Sequence, residues 1–383
     1  MKTISGNDLN ILATIFAGSS ANIFLAKSEA NQFTNLSDNV HIIGTTEVIG
    51  TYEGKKILFL FNAGAYHACR CHFSFDYVIV FGKESLKKHE FDLATFNYIN
   101  NADGTMRWVY PQANKSPMHL AFYNSIQLKA FTYKAVTSAA YALGCKSVLA
   151  DGKFKVYTKG KYEFENATRS IFYSDYAVFT GTVGPNRKCL FALGKKNKVN
   201  SFLKLGITST SVQLIENEKM AISAMQSKLL QGIIIPKVQS TTKEALVMDN
   251  IKPSQRKRSS AFSEAHAQAA LAIVKSNMIS ERIEQTDFDE QLKNNLFHLQ
   301  HVRPMNAMPY LNDTVSQLRE IYQSLDRSEN AIFSVAHGDF TPWNMYVANT
   351  GVHLYDWELS KTTAPALFDV FHYVFQEQVL LKH

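Results

Sequence analysis

The chain has 383 residues but only four cysteines, no long apolar run and no GxGxxG element. Each absence excludes something. Four cysteines in a chain this long do not make a disulfide framework, which fits a reducing cytoplasm. No stretch is long and apolar enough to span a bilayer. The N-terminal apolar run ILATIFAG is short and is approached through Asp8 and Asn10, so it reads poorly as a signal peptide. The net charge of +7 favours anionic partners such as nucleotides, phosphosugars or a membrane surface. The basic residues are scattered, so they do not select nucleic acid. Only the short run at residues 252–260, KPSQRKRSS, offers a patch for peripheral membrane or phosphate contact, and a solvated loop is the better reading of it.

What is present is an ordinary globular balance, 46% hydrophobic and 19% charged, in a length that suits two or three domains. Residues 1–165 alternate short apolar segments with helical ones. Strands are expected at 40–44, 56–61, 77–82, 106–110, 119–123 and 146–149, and helices at 86–99 and 126–143. That alternation implies a small α/β domain of degenerate Rossmann-like character. The glycine-rich loop that a nucleotide-binding version needs after its first strand is missing. His67, Cys69, Cys71 and His72 cluster as HACRCH, without ordinary zinc spacing or a second pair elsewhere; small buried side chains are the better reading. The polar segment 153–166 is expected to connect this domain to the next.

From there the strands at 176–180 and 189–193 flank a turn with Gly181 and Gly184, whose backbone N–H groups suit phosphate oxygens, as they suit a plain hairpin. Lys204 follows on an apolar strand, where burial is costly without an anion. A helix at 210–225 carries Glu216 and Glu218. Strands are expected at 233–236 and 245–248, helices at 263–276, 288–300 and 313–325, the last capped by Asn312-Asp313-Thr314.

The richest stretch is Ser334 to Tyr373. His337, Asp339, Pro342 and Asn344 lie on one loop, and Asp356, Trp357 and Glu358 on another. Between them MYVANTGVHLYD reads as two strands joined through Asn349-Thr350-Gly351. A hairpin brings Asn344 and Asp356 to one end, and two side-chain oxygens there suit Mg²⁺. Asp339, just upstream, stands where a base would accept a proton from an attacking hydroxyl. These are the parts of a phosphoryl-transfer site.

HGDFTPWN followed by YDWE resembles the aminoglycoside phosphotransferase and choline kinase group, which has a protein-kinase-like fold; the resemblance covers residues from about 170 to 383. It implies an α+β, bilobal kinase-like domain, with residues 166–251 as the smaller lobe and 252–383 as the larger, preceded by the α/β domain of 1–165. It implies ATP and Mg²⁺ as cofactors and a small-molecule hydroxyl compound as partner, a sugar or amino alcohol in surface polysaccharide or lipid precursor synthesis. Carried over by position, Asp339 is the catalytic base, and Asn344 and Asp356 hold the metal. Lys204 contacts the phosphates and pairs with a glutamate of the next helix. Glu218, one turn before the apolar run, is favoured over Glu216. Met248 and Asn250 fall where the hinge backbone meets the adenine edge. His337 and Asp369 read as structural support for the loop, and His372 as a packed histidine. The chain stops at His383, where members of the group continue through further helices, so the acceptor pocket is expected to be completed by more chain, by residues 1–165 or by another subunit. The alternatives are a nucleotide-binding scaffold without turnover, and a bifunctional transferase using the N-terminal domain.

Overall fold

Residues 6–17, read above as a weak leader-like run, form a helix. Ser5 caps it, its hydroxyl accepting from the Asp8 N–H at 3.2 Å. Leu9, Ile11, Leu12, Ile15 and Phe16 are all buried, as expected of a helix apolar on every side. The computed structural model describes residues 3–44, 52–70, 74–86, 91–122, 128–228, 230–253, 261–301 and 311–381. Its contacts divide the chain into two units, Met1–Glu216 with Lys237–Asn250, and Asn217–Pro236 with Ile251–His383.

The first unit is built on one sheet of twelve strands. Val40–Ile43, Asn22–Ala26, Lys56–Leu60 and Tyr77–Val80 lie side by side and parallel. Their apolar runs, such as ILFL and YVIV, are those of strands covered on both faces. Beyond Tyr77–Val80 the sheet turns antiparallel, through Gly152–Thr158, Asp92–Asn100, Met106–Pro111, Asp175–Phe179, Lys188–Lys195, Lys198–Gly206, Ala245–Asp249 and Val238–Thr241.

This sheet runs across the boundary expected at residue 165. The segment expected to be a connector holds a central strand, Gly152–Thr158, hydrogen-bonded on both sides, and a short helix, Phe164–Ala167. Phe154, Val156, Tyr157 and Phe164 are buried. Phe164 packs 4.9 Å from Phe191 and 5.2 Å from Tyr176. Residues 1–165 therefore do not close as a domain of their own; their core continues into the strands that follow.

Three local expectations also fail. Residues 92–100, expected in a helix, form a strand. Phe96 pairs directly with Phe154, rings stacked at 5.5 Å, and such cross-strand aromatic pairs outweigh helix propensity. Residues 119–123 and 146–149, expected as strands, are single 3₁₀ turns at Met118–Phe122 and Lys146–Leu149, with Tyr123 outside the described residues. Pro117 starts the first of these, its carbonyl accepting from the Leu120 N–H at 3.0 Å. Of the HACRCH cluster, Cys71 and His72 lie outside the described residues. Cys69 and Cys189 are buried and free, while Cys145 is exposed and free.

The missing glycine loop has a structural counterpart. After the strand Asn22–Ala26, Glu29 is buried, and its carboxylate accepts the N–H groups of Phe61 (2.8 Å) and Asn62 (2.7 Å). Those donors sit at the carboxyl end of the neighbouring parallel strand, where α/β sheets receive ligands. Here the chain uses them itself.

His119 makes a testable contribution to this unit. It is buried among Trp108, Tyr110, Tyr133 and Tyr141 at 4.9–6.4 Å, and neither ring nitrogen has a hydrogen-bond partner among the described residues. Burial pulls its pKa from 6.5 down to about 4. The unfolded chain then takes up this proton first as pH falls, so stability is lost progressively from about pH 6.5 down to about pH 4. His119→Phe should be less destabilised than the wild type between pH 6.5 and 4, measured as urea midpoints. An unchanged pH slope would remove His119 from the acid response.

The second unit holds the helices Glu264–Ser276, Asp287–His301 and Leu311–Ser324, each within two residues of expectation. Ser263 caps the first, closing a capping box with His266. The last begins before the expected cap, so Asp313 lies in its first turn. Ile279–Arg282, Asn330–Ala336 and Lys361–Pro365 form one antiparallel sheet. A second joins Ile233–Ile234 to the hairpin of Met345–Ala348 and Gly351–Leu354. Residues 217–236 thus belong to this unit, not to the smaller lobe where they were expected.

Candidate active site

The strand Asn330–Ala336 ends at His337, and the chain then turns through Gly338 at φ 84°. A Cβ at Gly338 would lie 1.9 Å from the Leu359 carbonyl oxygen, so both conformation and space require glycine here. His337 is fully buried. Its Nδ1 accepts the Asp339 N–H at 3.2 Å and its Nε2 lies 3.2 Å from the Tyr355 carbonyl oxygen. One nitrogen accepts and the other donates, the pattern of a neutral imidazole, and burial lowers its pKa. The backbone beneath is held by Asp369, also buried, whose two oxygens accept the His337 N–H (2.7 Å) and the Gly338 N–H (3.0 Å). Burial raises the Asp369 pKa in spite of these two donors.

Asp339 emerges from this support. One carboxylate oxygen accepts from the Asn344 side-chain amide at 2.7 Å, and the other lies 3.2 Å from His372 Nε2. The carboxylate is 26% exposed, so it is both oriented and open. His372, read from sequence as a packed histidine, touches the candidate base directly; it comes from the helix Phe368–Gln376, thirty-three residues on. Asn344 ends the 3₁₀ turn Pro342–Asn344 and also donates to the Asp339 carbonyl oxygen at 3.2 Å.

The hairpin forms as read, with Asn349-Thr350 as its turn and Ala348 opposite Gly351. At its open end the Asn344 carbonyl oxygen accepts from the Tyr355 N–H at 3.1 Å, one residue before Asp356. Asp356 is left-handed at φ 72°, ψ 58°, a conformation that Asp tolerates better than most residues. Trp357 is fully buried, its ring 4.6 Å from His337.

A feature that sequence reasoning missed lies beside Asp356. Glu218, Asp356 and Glu358 each offer a carboxylate oxygen, all within 4.8 Å of one another. Glu218 accepts the Trp357 N–H at 3.3 Å, and Asn217 donates to the carbonyl oxygens of Glu358 (2.6 Å) and Ser360 (3.2 Å). The second half of the helix Ser209–Gln226 is thereby fastened to the Asp356 loop. The E-N-E pattern on that helix was visible, but nothing local told which loop it would meet.

The remaining sequence candidates lie in the first unit. Lys204 is 7% exposed on Lys198–Gly206, opposite Leu190 and Leu246. Gly181 adopts φ 78°, and a Cβ there would lie 2.2 Å from the Lys188 carbonyl oxygen. Gly184 is also at positive φ. Met248 is buried on Ala245–Asp249. Asn250 spends its N–H on the Asn200 carbonyl oxygen (2.8 Å) and its side-chain amide on that of Val199 (2.8 Å).

No helix among the described residues is long and apolar enough to cross a membrane. No family model matches the chain, and no curated protein matches it. Over about half of its length the chain is similar to solved small-molecule phosphotransferases. An ADP-bound aminoglycoside phosphotransferase shares 13% identity, with 54% of this chain and 72% of that one covered and a TM-score of 0.40. A macrolide 2'-phosphotransferase shares 15%, over 57% and 79%, at 0.38, and a glucosamine kinase 12%, over 48% and 53%, at 0.33.

Proposed function

We propose that this chain is an ATP- and Mg²⁺-dependent phosphotransferase acting on a hydroxyl of a small molecule. The observation that carries the reading is the environment of Asp339: one oxygen bonded to Asn344, the other beside His372, on a loop whose backbone Asp369 pins. A carboxylate held this way accepts a hydroxyl proton in a fixed direction. In the proposed step the acceptor oxygen bonds to the terminal phosphorus, the bridging P–O bond to ADP breaks, and the hydroxyl proton passes to Asp339.

The donor set fits a hard cation. Asn344 donates through its nitrogen to Asp339, which leaves its side-chain oxygen as a ligand, and Asp356 adds carboxylate oxygen, with Glu218 and Glu358 near it. Bound Mg²⁺ would neutralise phosphate charge; Asn344 and Asp356 are the proposed ligands. Lys204 is the proposed phosphate-binding cation, with Glu218 its counterpart in the resemblance. The backbone at Gly181 and Gly184 is the proposed phosphate cover. The Met248 backbone and the Asn250 carbonyl are proposed for the adenine edge. A sugar or amino alcohol of a surface polysaccharide or lipid precursor is the proposed acceptor, and the cytoplasm, which supplies ATP, the proposed location.

The test is ADP release from Mg-ATP across a panel of sugars, amino alcohols and aminoglycosides. The reading expects release that depends on one class of acceptor. Binding of ATP with no release for any acceptor would replace it with a nucleotide-binding scaffold.

A further inference from the structure

A cavity of about 330 Å³ lies within the first unit. One wall is the helix Gly6–Ala17, with Asn7 and Thr14; the other is Val183, Gly184, Arg187 and Thr208. Neither Lys204, Met248 nor Asn250 lines it. Of the residues named for phosphoryl transfer, Gly184 alone lines it.

Among the described residues Arg187 is the only charged one that lines the cavity, and it is 8% exposed. Its Nε donates to the Thr180 carbonyl oxygen at 3.0 Å, but its Nη2 is enclosed without a hydrogen-bond partner among the described residues. The carboxylates that act on it are committed elsewhere. Asp8 accepts from the Met106 N–H (3.0 Å) and the Ser5 hydroxyl (2.7 Å), and Asp103 from the Thr105 N–H (2.9 Å) and hydroxyl (2.6 Å). Both act on Arg187 only at longer range, while burial works against its charge. A guanidinium does not escape by losing its proton, so a buried one with no carboxylate in ion-pair reach among the described residues favours an anion beside it.

A second feature points the same way. Thr208 stands at the start of the helix Ser209–Gln226, its carbonyl oxygen accepting the Val212 N–H at 3.0 Å. The positive end of an eighteen-residue helix therefore meets the cavity wall that Arg187 forms. Ile11, Ile23 and Ile207 supply apolar lining beside these groups, which suits a ligand with a carbon body as well as an anionic head.

We propose that this cavity binds a small organic anion, a phosphate ester or a carboxylate, held by Arg187 and the amino end of the helix Ser209–Gln226. The site is separate from the proposed catalytic residues except for Gly184, and it stands whether or not the chain transfers phosphate.

The experiment is thermal unfolding of the full chain at constant ionic strength, with inorganic phosphate, glucose 6-phosphate or citrate against a chloride control. The wild type should gain several degrees from at least one of them at millimolar concentration. Glucose 6-phosphate acting alone or above phosphate assigns a phosphate ester, and citrate acting alone a carboxylate. Arg187→Met should bind the active anion at least about ten-fold more weakly, the worth of one charge-assisted hydrogen bond. Asn7→Asp adds a negative charge at an exposed position of the opposite wall; it should weaken the shift several-fold, and it decides the matter if Arg187→Met does not fold. No shift in the wild type with any of the three, or the same shift in both variants, overturns the proposal.

Discussion

Asp339→Asn should lose acceptor-dependent ADP release by about 10²- to 10⁴-fold, the usual worth of a positioned general base. The substitution preserves shape and removes the ability to take a proton. In the wild type both carboxylate oxygens face donors, Asn344 Nδ2 at 2.7 Å and His372 Nε2 at 3.2 Å. An asparagine has one oxygen for these two partners, and its NH₂ can donate to His372 in the other tautomer, so at most one hydrogen bond is lost, at about 1 kcal/mol. That is far too little to unfold a domain. The variant should therefore keep its far-UV circular dichroism and its thermal shift with Mg-ADP while turnover collapses. Turnover within a few-fold of the wild type would remove Asp339 from the chemistry. A loss of nucleotide binding together with activity would instead assign Asp339 to the nucleotide site.

How much of this was legible depended on whether the deciding contacts were local. The hairpin between Asn344 and Asp356 was readable because a turn tripeptide between two short apolar strands specifies it. The helices at Glu264–Ser276 and Asp287–His301 were readable from period and first-turn chemistry. The strand Gly152–Thr158 was not, because GKFKVYT borders a polar segment and its place is fixed by Tyr77–Val80 and Asp92–Asn100, more than fifty residues away. Residues 92–100 failed for the same reason, their Phe96 and Tyr98 being sorted by distant partners. At the candidate site, the carboxylate and amide of HGDFTPWN were visible. The approach of His372 to Asp339, and of Glu218 to the Asp356 loop, were not, because helix faces carry no address for the loop that they meet. Asp369 is the intermediate case: pattern alone makes it one more carboxylate near a helix start, the resemblance read it as support for the loop, and only the structure shows that it grips the His337 and Gly338 N–H groups.

Asp369→Ala should therefore destabilise the protein by about 2–6 kcal/mol, since it strands two buried backbone donors at about 1–3 kcal/mol each. Those donors, the N–H groups of His337 and Gly338, have Asp369 as their acceptor at 2.7 and 3.0 Å, and Gly338 is pressed against Leu359, leaving little room for the loop to relax. A loop that does relax carries Asp339 with it, so activity should fall as well. Asp369→Asn keeps one acceptor and should fall between alanine and the wild type. The acid–base behaviour separates this from simple loss of packing. Burial raises the Asp369 pKa in the folded state above 3.8, so the folded chain holds this proton after the unfolded chain has released it. The contribution of this group is then full below pH 3.8 and declines as pH rises through the raised value. Asparagine has no proton to lose there. The deficit of Asp369→Asn against the wild type, taken from urea midpoints, should accordingly shrink as pH rises from 4 towards 7. A deficit that grows over that range would mean that the two N–H donors outweigh burial and hold the carboxylate ionised.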